Sequence, residues 1–199
     1  YMAYRLACES PEKIAAFGSV TGNFMLNSSQ ECQQARLIPF IDFHGTDDET
    51  VPYFTPYDGS FSVSESIEYY SDFNGLTIET MEALPNIYIS DFTTTEKYTY
   101  SSPDHSVEFV HFKVYGGGHQ WFGSTLGDYS IPDLGYNSHD FNASEELIDF
   151  FSNYRVSDFD SVTGDVNGDG SLNILDVVMI VNMILTGETN LAADYNSDG

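Results

Sequence analysis

The hydrophobic pattern of this chain changes period several times along its length. Leu37, Ile38, Pro39, Phe40, Ile41 and Phe43 form a run broken only by Asp42. Such a run predicts an interior parallel strand over residues 37–43, apolar on both faces. Residues 14–20, after a turn at Pro11, read as a short buried strand. Residues 96–100 and 107–114 alternate as strands do, with Pro103-Asp104 in the turn between them. Elsewhere the spacing is helical. Met2 and Leu6, with Ala3 and Ala7, predict a helix over residues 1–10. Ser62 with Glu65 three residues on forms a capping box, and Asn74-Gly75 closes the helix that follows. Asn142-Ala143-Ser144-Glu145 opens another, running to about Tyr154, with Leu147, Ile148, Phe150, Phe151 and Tyr154 as its apolar face. Strand, loop and helix alternate, which predicts an α/β fold.

Two loops at predicted strand ends carry candidate chemistry. One holds Asp47 and Asp48, and the other holds His119 after three glycines. In open α/β sheets the C-terminal strand edge is where ligands bind. An imidazole that accepts a proton, held by a buried carboxylate, is two thirds of a serine-hydrolase triad. In α/β-hydrolases the chain order is Ser, Asp, His, and these residues are the last two in that order.

The full loops are longer motifs. His44-Gly45-Thr46-Asp47-Asp48-Glu49-Thr50-Val51-Pro52-Tyr53 and Gly116-Gly117-Gly118-His119-Gln120-Trp121-Phe122-Gly123 resemble the two C-terminal signatures of secreted polyhydroxybutyrate-depolymerase-like and feruloyl-esterase-like α/β-hydrolases. The resemblance covers roughly residues 1–155 and implies that Asp48, rather than Asp47, is the triad acid and His119 the base. It implies a nucleophile elbow, with its serine about four residues before Tyr1. The chain itself is then expected to be an inactive C-terminal part of the esterase. Phe122 stands where the family has proline, which is expected to loosen the loop after His119. Leu76 and Ser101 or Ser102 stand where many relatives carry a cysteine pair. Tyr53 and Trp121 are candidate substrate-binding residues, with a packing role as the alternative for each. His44 is expected to brace its own loop, His111 to be structural or on the surface, and His105 and His139 to be solvated.

Beyond a polar linker over residues 156–163 the pattern changes again. Asp165, Asn167, Asp169, Asn173 and Asp176 fall at places 1, 3, 5, 9 and 12 of an EF-hand-type loop, with Gly170 at place 6 and the Ser171 carbonyl at place 7. Calcium takes six to eight hard oxygens around a sharp turn, and this spacing provides them. Aspartate at place 12 and the helix expected from Ile174 to Leu185 resemble type I dockerins. Asp194, Asn196 and Asp198 begin a second loop that stops after Gly199, so a truncated two-repeat module is expected over residues 164–199. The resemblance implies a structural Ca²⁺ and a cohesin on a scaffold as partner. Catalysis is expected to need no cofactor.

Charge narrows the partners. The chain has 31 acidic and 6 basic residues, a net charge of −25, so phosphate backbones and anionic membrane surfaces are repelled. The longest apolar stretch, residues 177–185, is too short to span a bilayer. Cys8 and Cys32 either pair with each other or are buried thiols. The reading is a secreted serine carboxylic ester hydrolase acting on feruloyl or acetyl esters of polysaccharides. Its rivals are a polyester depolymerase, and a non-catalytic hydrolase-like shell that presents the dockerin.

Overall fold

The computed structural model describes residues 1–24, 38–56, 59, 61–103, 107–125, 134–155, 164, 166, 173–187 and 193. The chain divides into two compact units, Tyr1–Arg155 and Val156–Gly199. In the first, helix α1 (Met2–Glu9) and a 3₁₀ turn (Pro11–Lys13) lead into β1 (Phe17–Val20). There follow β2 (Phe40–Gly45), α2 (Val63–Phe73), β3 (Ile78–Ala83), a 3₁₀ turn (Ile89–Asp91), β4 (Thr94–Ser101), β5 (Glu108–Tyr115) and α3 (Ala143–Ser152). The strands form one mixed sheet in the order β1-β2-β5-β4-β3. β1, β2 and β5 are parallel neighbours, and β4 and β3 are added antiparallel. The architecture is α/β.

Side-chain alternation gives the sheet two cores. On one face Phe17, Phe40, Phe109 and Tyr100 are cross-strand partners, so their rings stack in a row at 4.3, 4.9 and 5.2 Å. Tyr4 of α1 and Tyr70 of α2 close over that row. On the other face Phe43, Phe112 and Phe141 stack beneath α3. Two residues beyond the aromatic row, the same register aligns Ser19, Asp42, His111 and Tyr98. A lane of polar side chains thus lies directly against the most apolar part of the sheet.

Several local expectations change. α1 turns Tyr4 and Ala7 inward and leaves Met2 and Leu6 exposed, because the stripe that packs on the sheet lies on another side of the helix from theirs. The buried face of α3 is Ala143, Leu147, Phe150 and Tyr154, at four, three and four residue steps, and Ile148 falls outside it, exposed. β3 has no counterpart in the sequence reading. It is an edge strand whose Met81 faces solvent, so it carries no buried alternation to betray it. The capping box at Ser62 and Glu65 is present, and Asn142 caps α3 through the amides of Ser144 and Glu145. Cys8 is disulfide-bonded. Cys32 lies outside the described residues, as do Asp104 and His105.

In the second unit, α4 (Ile174–Thr186) starts at Asn173 with a capping box completed by Asp176, and ends at Gly187 in the left-handed conformation. Among the described residues no helix is long and apolar enough to cross a membrane.

Candidate active site

Parallel pairing of β2 with β5 aligns Gly45 with Val114, so the loops that follow the two strands leave the same edge side by side. They are stitched together by backbone. Thr46 N donates to Val114 O and Asp47 N to Gly117 O, each at 2.9 Å, and Gly116 N donates to Thr46 Oγ1 at 3.0 Å. The contact is too close for side chains: a Cβ on Gly45 would collide with Gly117 O, and one on Gly118 with Leu134 O. The glycines are therefore what lets the two loops touch.

That contact places His119 against Asp48. His119 Nδ1 lies 2.9 Å from Asp48 Oδ2. The other oxygen, Oδ1, accepts from Thr50 N at 2.8 Å and Val51 N at 2.7 Å. A second imidazole shares Oδ2: His44 Nε2 is 3.3 Å from it and 2.8 Å from Val51 O. Asp48 is 4% exposed. Burial pushes its carboxyl up, yet the hydrogen bonds from His119, His44 and Val51 outweigh that and hold it well below the usual carboxylate range. Asp47 is exposed and its Oδ1 accepts from Thr46 Oγ1 instead. Because the Asp48 carboxylate can only accept, His119 must donate from Nδ1, so the neutral ring keeps its lone pair on Nε2. With 30% of its side chain exposed, His119 is accessible. The pair can take a proton from a hydroxyl placed at Nε2 and return it.

A second carboxylate and imidazole sit nearby in the polar lane. His111 Nδ1 lies 3.0 Å from Asp42 Oδ2, and its Nε2 accepts from the Tyr53 hydroxyl at 2.9 Å. His111 is 1% exposed and Tyr53 4%. Burial lowers the His111 pKa against the pull of Asp42, and raises that of the Tyr53 phenol. His111 is thus a core residue. Asp42 was hidden inside an apolar run; the signal that it needed a partner was its being a charge in a strand interior. His44 is fully buried and does brace its loop.

The structure seats Tyr53 and Trp121 differently. Tyr53 is inside, with its hydroxyl on His111. Trp121 is 49% exposed, with its indole N–H donating to Ser144 Oγ at 2.8 Å. Phe122, expected to loosen the loop after His119, does the reverse. It is fully buried among the residues beneath α3, and its carbonyl accepts from Ala143 N at 3.0 Å, so it anchors the loop. His139 is half-buried, with its amide donating to Asp91.

Of the calcium ligand set, Asn173 and Asp176 are described, whereas Asp165, Asn167, Asp169, Ser171, Asp194, Asn196 and Asp198 lie outside the described residues. Asp176, 2% exposed, accepts from Val166 N through Oδ1 and from Asn173 N through Oδ2, each at 2.9 Å. The place-12 carboxylate therefore folds back over the place-2 amide, which brings the two ends of the loop together. With the hard-oxygen donor chemistry of the whole set, these residues fit Ca²⁺.

Residues 163–199 match the family described as Dockerin type I domain. The chain is also 27% identical over 163 residues to a protein of Nocardia uniformis subsp. tsuyamanensis named "Putative esterase NocK"; the match covers 75% of this chain and 47% of that protein. The chain thus spans about half the length of this relative. It joins a dockerin type I domain to a region distantly similar to an esterase.

The pKa shifts set a pH dependence for stability. Asp48 is lowered in the fold, so its contribution is present above its unfolded value of about 4 and is lost as pH falls through the folded one. His44 is raised, since Asp48, Asp42 and the Val51 carbonyl together outweigh its burial. Its contribution is complete below the unfolded value of about 6.5 and is lost as pH rises through the folded one. Urea denaturation of the chain between about pH 3 and 9 is expected to lose stability on both sides, with His44→Gln flattening the alkaline side and, because His44 also helps to hold Asp48 low, lessening the acid side as well. An alkaline slope unchanged by His44→Gln contradicts the assignment.

Proposed function

We propose that the chain is the C-terminal part of an extracellular serine ester hydrolase, with residues 1–155 from its α/β-hydrolase domain, 156–163 a linker and 164–199 a dockerin. The observation that carries this reading is the His119–Asp48 pair, buried on the acid side and open on the base side. The esterase similarity supports it independently. In this reading a serine N-terminal to Tyr1 is the nucleophile. His119 Nε2 takes the hydroxyl proton as the serine oxygen attacks the ester carbonyl, then gives it to the departing alcohol. Water repeats the cycle and releases the acid. Asp48 fixes the imidazole tautomer and stabilises the imidazolium. Residues 1–199 alone are inactive, because triad members act as a unit.

The dockerin supports a narrower substrate class, esters carried on polysaccharides such as feruloyl or acetyl groups, and a cohesin on a scaffold as partner. Asp165, Asn167, Asp169, Asn173, Asp176 and the Ser171 carbonyl would hold a structural Ca²⁺, whose charge would offset the carboxylates ahead of α4.

Two measurements test these assignments. The full-length enzyme is expected to hydrolyse p-nitrophenyl acetate, and His119→Ala to reduce the rate at least about a thousandfold. A rate unchanged in that variant excludes His119 as the base. Calorimetry of the chain with Ca²⁺ is expected to show a site that Asp169→Ala removes. Absence of Ca²⁺ uptake by the unsubstituted chain contradicts the ligand assignment.

A further inference from the structure

Outside the His119–Asp48 pair, the first unit contains a cavity of about 500 Å³ between α2 and strands β4 and β5. That is the size of a small-ligand site. Neither His119 nor Asp48 lines it. The Asp42–His111–Tyr53 array forms part of its wall through His111 and Tyr53, and so makes that wall rigid.

Its lining has a definite chemistry. Phe54, 64% exposed, and Tyr98 offer aromatic surface. Tyr98 commits its hydroxyl to Glu96 at 2.6 Å and leaves its ring to the cavity. Lys113 Nζ stands over the rings of Tyr53 and Phe54, 5.3 and 5.8 Å from their centroids. Glu68 and Asp72, one turn apart on the exposed side of α2, face the cavity from its rim. Ser71, between them, is 9% exposed, and its hydroxyl has no hydrogen-bond partner. A buried hydroxyl left without a partner is unfavourable, so a rotation of Ser71 that brings Oγ to a bound hydroxyl relieves a penalty already present in the free protein.

The charges decide the ligand class. An anion would meet Glu68, Asp72 and a net charge of −25. A free cation would meet Lys113, which already occupies the aromatic surface. What remains is neutral, with an apolar face for the rings and hydroxyls that both donate and accept. Carboxylates, an ammonium and a serine hydroxyl then find partners on one molecule. We infer that this cavity binds a neutral saccharide unit, and so holds the polysaccharide at residues other than His119 and Asp48. The inference rests on the polysaccharide reading above for the source of the sugar.

The test is calorimetric titration of the 199-residue chain with xylohexaose and cellohexaose, and with choline and benzoate as charged probes. At least one hexaose is expected to bind with a Kd of about 1 mM or tighter. Phe54→Ala and Glu68→Gln, both at exposed side chains, are each expected to weaken it at least about fivefold, with the circular dichroism spectrum unchanged. His119→Ala is expected to leave sugar binding unaltered. If the hydrolase reading fails, ester cleavage by the full-length protein is missing while hexaose binding persists. Three results overturn the saccharide site: no hexaose binding up to about 10 mM, binding that neither substitution weakens, or tighter binding of choline or benzoate.

Discussion

A carboxylate taken out of water costs several kcal/mol unless other donors replace the solvent. At Asp48 four donors do so: two backbone amides on one oxygen and two imidazoles on the other. The surrounding architecture follows from that requirement. The amides of Thr50 and Val51 come from the turn that Asp48 itself begins. His44 comes from the C-terminal end of β2, and His119 from a loop that reaches it only because glycines let two backbones meet. A side chain at Gly45 would collide with Gly117 O and force the two loops to shift.

The same sheet holds a second carboxylate–imidazole pair, and comparing the two shows what burial decides. Asp42 and His111 are almost as close as Asp48 and His119. Yet both nitrogens of His111 are engaged, and the ring lies in the core. His119 keeps one nitrogen uncommitted and about a third of its side chain in solvent. One pair is suited to moving a proton, whereas the other stiffens the lane that carries Tyr53. The two pairs touch through His44, whose ring is 5.9 Å from that of Tyr53. Order in the core lane therefore supports the loop that holds Asp48.

Much of this was legible in the sequence because its signals are local. The apolar run through Phe40 and Phe43, the alternation before Gly116, and the caps at Ser62 and Asn142 are each written within a few residues. What escaped depends on partners far along the chain. β3 is a strand because β4 lies beside it, and Ile148 is exposed because the sheet meets a neighbouring stripe of α3. Phe122 is a core residue because it packs with Phe141 and Ala143, which lie about twenty residues further on. Pairing of Asp42 with His111 needed the strand register, which no single segment contains. The dockerin type I segment was readable for the opposite reason, since its motif is written within one short stretch of chain.

The assignment of Asp48 over its neighbour is the point on which the account turns, because motif spacing and burial both bear on it. In the full-length protein proposed above to be an ester hydrolase, Asp48→Asn and Asp47→Asn should be compared for hydrolysis of an aryl ester. An amide at position 48 can still hold the imidazole but favours the wrong tautomer, so the rate is expected to fall by roughly four orders of magnitude. Asp47→Asn, at an exposed side chain bonded only to Thr46, is expected to leave the rate within about twofold of the unsubstituted enzyme. The reverse pattern, or equal rates in both variants, would contradict the account.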